Sequence, residues 1–222
     1  MKKHGEELIF SGAWVIVIGT IISAIGQTKE TTTGTPKGAK LVAQGNAIEA
    51  FGNSLQALGN TELFLEEKEP FRMDNIIGCW LQAGGNSTNT VATEIEIHSS
   101  EEEGLRLNAV GSGVQGLGAV YEAVGAVAGK SPTKNLEATG NSLVALGAFL
   151  DAAGNISILN KLDISGETLE LIGSWTQVIG ACTELIALAI ASNIELTQQK
   201  SYSYPYADVG YYWYEPNPYG MI

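Results

Sequence analysis

Along most of the chain, large apolar residues recur at helical spacing while a glycine recurs every seventh position. From Gly45, Ile48 and Leu55 share one heptad position and Phe51 and Leu58 another, and with Gly45, Gly52 and Gly59 they form one stripe. Asn46, Glu49, Asn53 and Gln56 occupy the opposite face. The segment from Gly140 repeats the design with Leu143, Leu146, Leu150 and Ala153. Such a period marks an amphipathic helix, and its apolar stripe is expected to meet neighbouring helices.

Six such trains follow one another. They are Gly12, Gly19 and Gly26; Gly45, Gly52 and Gly59; Gly78 and Gly85 with Ala92; Gly111, Gly118 and Gly125; Gly140, Gly147 and Gly154; and Gly173 and Gly180 with Ala187. Their first glycines are 33, 33, 33, 29 and 33 residues apart, a spacing in the range of tandem structural repeats. Trains opening Gly-Asn (Gly45, Gly140) precede trains opening Gly-x-Trp (Gly78, Gly173), and the two occurrences are 95 residues apart. The pattern predicts an all-α fold: six antiparallel Gly-heptad helices in a tandem-repeat bundle over residues 1–200. A duplicated three-helix unit would give pseudo-halves 1–98 and 99–200.

Interior helical glycine costs about 1 kcal/mol relative to alanine, so a design that repeats it needs compensation from packing. Gly12, Gly19, Gly45, Gly52, Gly78, Gly85, Gly111, Gly118, Gly140, Gly147, Gly173 and Gly180 are therefore read as notches that let neighbouring backbones approach, as small-residue stripes do between membrane helices. Trp14, Trp80 and Trp175 share one register and are read as repeated anchors. Thr35–Pro36 and Ser131–Pro132 predict helix starts, and Ser100 with Glu103 fits a capping box. Gly59–Asn60, Gly85–Asn86 and Gly154–Asn155 are read as helix ends closed by a left-handed residue.

Charge narrows the function. The net charge is −12 with two arginines, Arg72 and Arg106, so no basic patch exists for nucleic acid. Cys79 and Cys182 form no CxxC pair and read as small buried hydrophobes in a reducing compartment. Leu8–Gly26 carries no charge over 19 positions and has the length of a membrane span. Glu6 and Glu7 precede it directly and no small-x-small cleavage site follows, which argues against a signal peptide. His4 and His98 stand without partners at ligand spacing, no nucleophile–base pair can be assembled, and the glycine trains lack the lysine of a phosphate loop. The expectation is a non-enzyme with no metal and no cofactor.

From Ser201 the composition changes. Residues 201–222 hold three prolines and an aromatic cluster of Tyr202, Tyr204, Tyr206, Tyr211, Tyr212, Trp213, Tyr214 and Tyr219, expected to be extended and to dock on the bundle or on another copy. The Gly-Asn and Gly-x-Trp units resemble the glycine-rich "repetitive proteins" of spore-forming Firmicutes, a family of unknown function, over residues 1 to 198. The tail is similar in composition to spore coat proteins. That resemblance implies no catalytic residues. The resulting expectation is a structural protein, self-associating through its glycine-striped helices and aromatic tail, in the cytoplasm or in a spore or cell-surface layer. A homo-oligomer is the expected partner state, with no nucleic acid. A membrane-associated helical protein ranks below it because Glu170, Glu184 and the polar faces of the second and fifth trains oppose burial in lipid, and a module for an apolar ligand is the third reading.

Overall fold

The computed structural model describes residues 2–33, 36–162 and 165–203, with the side chains of 36, 195, 196 and 198–203 excepted. Among the described residues all regular structure is helical: α1 (Lys2–Thr33), α2 (Pro36–Glu67), α3 (Phe71–His98), α4 (Glu101–Ala128), α5 (Lys134–Asn160) and α6 (Gly166–Ser203). Each helix packs on its neighbours in sequence, and α1 packs on α6, so the six close a ring. Contact is most intimate within α1–α2, α3–α4 and α5–α6.

Glycine explains that intimacy. A β-carbon placed on Gly12 would lie 2.6 Å from the carbonyl oxygen of Gly52, and one on Gly52 would lie 2.8 Å from the oxygen of Gly12. The same reciprocity joins Gly19 to Gly45, Gly5 to Gly59, Gly78 to Gly118, Gly85 to Gly111, Gly140 to Gly180 and Gly147 to Gly173. As numbers rise along one helix of a pair they fall along the other. The obstacle is backbone in every case, so even a methyl group would push the two helices apart.

The helix ends follow local chemistry, with three departures from the sequence expectation. Ser100 caps α4 by accepting the Glu103 N–H at 3.3 Å. At Ser131–Pro132 the helix does not start: the Ser131 hydroxyl accepts the Thr133 N–H at 3.2 Å in a turn of its own, and α5 begins at Lys134. Thr35 lies outside the described residues. The Gly-Asn pairs end no helix, since Gly59–Asn60, Gly85–Asn86 and Gly154–Asn155 all lie within α2, α3 and α5. Left-handed backbone instead occurs at Lys68 (φ 57°) and Lys161 (φ 50°), directly after α2 and α5. Helix α6 runs to Ser203, three residues into the expected tail.

The larger correction concerns which face is buried. Phe51 and Leu58 of the predicted packing stripe are 60 % and 49 % exposed, whereas Asn46, Glu49, Asn53 and Gln56 are buried. Leu146 likewise points outward while Asn141 and Asn155 are enclosed. The stripe is rotated by about one residue: the glycine, the residue after it and the residue four after it turn inward together. Rotation follows from where the glycine must sit. Contact at the glycine leaves one flanking row on each side, and the row that finds hydrogen-bond partners inside the ring is the polar one.

Adjacent glycines in α3 provide a test. Nothing stands within 4 Å of a β-carbon on Gly84, whereas one on Gly85 would meet the Gly111 oxygen and the Gln115 nitrogen at 2.6 Å each. Gly84→Ala is expected to stabilise the fold by roughly 0.5–1 kcal/mol through helix propensity, and Gly85→Ala to destabilise it by roughly 1–3 kcal/mol through overpacking. Thermal unfolding followed by circular dichroism measures both; equal effects would remove the backbone-contact account.

Candidate functional site: an acid-lined interior between two mouths

The interior is built by one local rule. The residue four positions after a packing glycine lies on the same face one turn on, and there its stem covers the partner helix's glycine. Cγ of Gln56 lies 2.8 Å from the β-carbon position of Gly12, Cγ of Glu49 lies 2.7 Å from that of Gly19, and Cγ of Glu122 lies 2.5 Å from that of Gly78. Gln82 covers Gly118, Gln177 covers Gly147 and Glu170 covers Gly154 in the same way. The glycine accepts the aliphatic stem, and the amide or carboxylate head is carried inward. Asparagines that follow glycines, among them Asn53, Asn86 and Asn141, add a second inward row.

These heads bond across the ring. Gln82 donates to Glu122 at 2.7 Å and Gln56 to Glu184 at 2.9 Å. Midway along the ring, Asn89 of α3 donates to Ser112 of α4 at 3.2 Å, Gln115 of α4 donates to Gln177 of α6 at 2.6 Å, and Gln177 donates to Asp151 of α5. This bridge spans the interior side to side. Each amide in it is buried, and removing a partner would leave an unmet polar group worth about 1–3 kcal/mol.

A cavity opens on either side of the bridge, each lined by all six helices. One, of about 370 Å³, lies at the end where α3 finishes and α4 starts, and carries Glu30, Glu96, Glu101, Asp151, Glu167 and Glu170 with no lysine or arginine among its described lining residues. The other, of about 1020 Å³, lies at the end that holds the start of α1, with Glu122 and Glu184 deep inside it. Its mouth is basic as well as acidic: Arg72 reaches Glu67 at 3.1 Å and Asn60 at 3.3 Å, and Lys2 reaches Glu67 at 3.3 Å. Burial raises the Glu67 carboxyl, but the bonds and charges of Arg72 and Lys2 more than offset it and hold the group below the usual range. Glu96 goes the other way. Burial, reinforced by the charges of Glu30 and Glu101, pushes it up to about 7.

The outside of the ring is the inverse of the inside. Each helix has a stretch of 19 to 24 residues, between 8–28, 41–61, 75–93, 107–129, 138–160 and 171–194, that is free of charge or carries a single acid. Those acids are Glu49, Glu122, Asp151 and Glu184, and all four project inward. Outward stand Ile18, Val110, Leu117, Val124, Ile179 and Ile186, each at least half exposed. Trp14, Trp80 and Trp175 belong to this outer surface, at 51 %, 48 % and 42 % exposure, with the Trp175 indole N–H on the Thr28 hydroxyl at 3.0 Å. All three side chains face outward, and that of Trp175 also reaches across to α1.

The twelve glycines singled out from the sequence all sit against a neighbouring helix. Of the tail set, Tyr202 lies within the last turn of α6 without a described side chain, and Tyr204 to Tyr219 lie outside the described residues. Among the described residues no three His, Cys, Asp or Glu side chains converge as metal ligands. Cys79 is buried and Cys182 half-buried, both as free thiols. Sequence reasoning missed the interior acids and amides, and the signal was present: a polar residue four after a glycine, as in Gly45/Glu49, Gly52/Gln56, Gly118/Glu122 and Gly180/Glu184.

Glu96 gives a pH test. Its carboxyl takes up protons more readily in the folded chain than in the unfolded one, so its contribution to stability is complete below about pH 4.5 and is lost as pH rises through about 7. Glu96→Gln is expected to flatten the fall in unfolding temperature between these values; an unchanged slope would show that Glu96 titrates normally.

No curated protein and no solved structure matches the chain. The profile of a family of unknown function, DUF6944, matches residues 7–185, which takes in the ring from the first turns of α1 to the middle of α6. The chain belongs to that family of unknown function.

Proposed function

We propose that the chain is a membrane-spanning protein, a barrel of six antiparallel Gly-heptad helices whose outer belt faces lipid and whose acid-lined interior is a polar path between two mouths. The observation that carries this reading is the division of side chains across the same stretches: large apolar groups outside, and every charge inside. A stretch of about 20 helical residues spans the roughly 30 Å of a bilayer core. Three helices, α1, α5 and α6, are long and apolar enough to cross by composition alone. In the other three, inward polar residues lower the hydropathy without touching the outer surface. Ionisable residues within membrane helices face the bundle interior, and small residues mark close helix contacts there. Glu170, Glu184 and the polar faces of α2 and α5, which weighed against a membrane, are inward-facing and no longer do so.

The second reading is a self-associating subunit of a spore or cell-surface layer, as the glycine-rich repeat texture and the tyrosine tail suggest. It draws on the same outer belt, which copies of the chain would cover instead of lipid.

Fractionation separates the two. A spanning protein is expected to remain in the membrane pellet through an alkaline carbonate wash, to float with lipid and to need detergent for release. Soluble recovery without detergent would end the membrane reading, and sedimentation as lipid-free filaments or sheets would support the layer. Leu117→Asp sharpens the distinction. On a water-exposed surface it is expected to change stability by less than about 0.5 kcal/mol, but in a bilayer it costs about 2.5–3.5 kcal/mol and is expected to lower the integrated fraction.

A further inference from the structure

Among the described residues, three acids of the wider cavity, Glu122, Glu137 and Glu184, have no basic partner, and Glu137 is bonded instead by the Ser131 and Thr133 hydroxyls. Glu122 and Glu184, 4 % and 9 % exposed, line this cavity together. They receive hydrogen bonds at 2.7 and 2.9 Å from the neutral amides of Gln82 and Gln56, and Glu122 receives another from the Cys79 thiol. The cations of the same cavity are engaged nearer its mouth, Arg72 with Glu67 and Asn60, Lys2 with Glu67, and Lys3 with Glu7. Two carboxylates in a buried setting without a counter-charge are costly.

A second observation points the same way. Among the described residues the Oε1 of Gln56 and the Oδ1 of Asn141 find no hydrogen-bond partner, although the two residues are 2 % and 4 % exposed and line this cavity. Gln56 gives its N–H to Glu184, so its free oxygen lies beside that carboxylate. The unmet demand is for a donor or a cation, and each available ligand atom is a hard oxygen.

We infer that Glu122 and Glu184, with the amide oxygens of Gln56 and Asn141, form a binding site for a hard divalent cation of the Mg2+ class that keeps part of its water shell. Two carboxylates balance a double charge. Mg2+ gives up its water reluctantly and is commonly held by one or two carboxylates, the remaining positions staying hydrated. A cavity of about 1020 Å³ has room for that shell. The site lies inside the ring, so the inference stands whether the outer belt meets lipid or other copies.

The test uses the full chain purified in detergent, titrated with MgCl2, CaCl2 or NaCl and read by calorimetry and unfolding temperature. Saturable Mg2+ binding with a rise in unfolding temperature is expected. The double variant Glu122→Gln/Glu184→Gln should lose at least about tenfold in Mg2+ affinity and, in EDTA, unfold at a higher temperature than the natural chain because the repulsion is gone. Glu7→Gln at the exposed mouth should leave binding unchanged. If the double variant does not fold, Glu184→Gln alone carries the tenfold expectation. No saturable Mg2+ binding up to roughly 10 mM, a response to Na+ alone, or unchanged affinity in the folded variant would each overturn the site.

Discussion

A helix whose neighbour's carbonyl oxygen lies within 3 Å of where a β-carbon would stand on its glycine cannot turn freely about its axis. That contact, repeated along α1–α2, α3–α4 and α5–α6, is the constraint from which the rest of the architecture follows. It sets the distance between backbones, the register along each pair and the rotation of every helix. Close packing then leaves no room for compromise, because interiors respond to the volume of a single methylene.

With rotation set, the two rows flanking each glycine have separate fates. The row that includes Gln56, Gln82, Glu122 and Gln177 goes inside, where stems lie over partner glycines and heads bond to one another across the ring. The row that includes Phe51, Leu58, Leu117 and Val124 goes outside. In water that distribution would forfeit much of the hydrophobic driving force. In a bilayer it is favourable, because the apolar row meets hydrocarbon and the polar row is withdrawn from it. The interior is also unevenly charged: one cavity has acids alone, while the other has lysines and Arg72 at its mouth and acids at its depth. The acid-walled cavity attracts cations, and the amide bridge through Gln115 and Gln177 stands between it and the mixed-charge one.

Much of this could be read directly from the chain. The helical periodicity of the chain predicts the six helices that are observed, and Ser100 with Glu103 marks the start of α4 through a local hydrogen bond. Asn60, Asn86 and Asn155 misled the reading of helix ends, since asparagine after glycine serves equally as a left-handed cap or as a buried hydrogen-bonding group, and local sequence does not distinguish these uses. The same ambiguity held for Ser131, whose hydroxyl makes a turn instead of a cap.

What the sequence determined by itself is the set of helices and their mutual notches, for these depend on backbone sterics and on neighbours within one or two turns. What only the tertiary structure decided is which way each helix faces. A stripe of apolar residues and a stripe of amides are equally compatible with a helix. The choice between them lies in partners that come from distant parts of the chain, such as Gln56 with Glu184 and Gln115 with Gln177. Inside and outside are therefore properties of the closed ring, and no segment carries them alone.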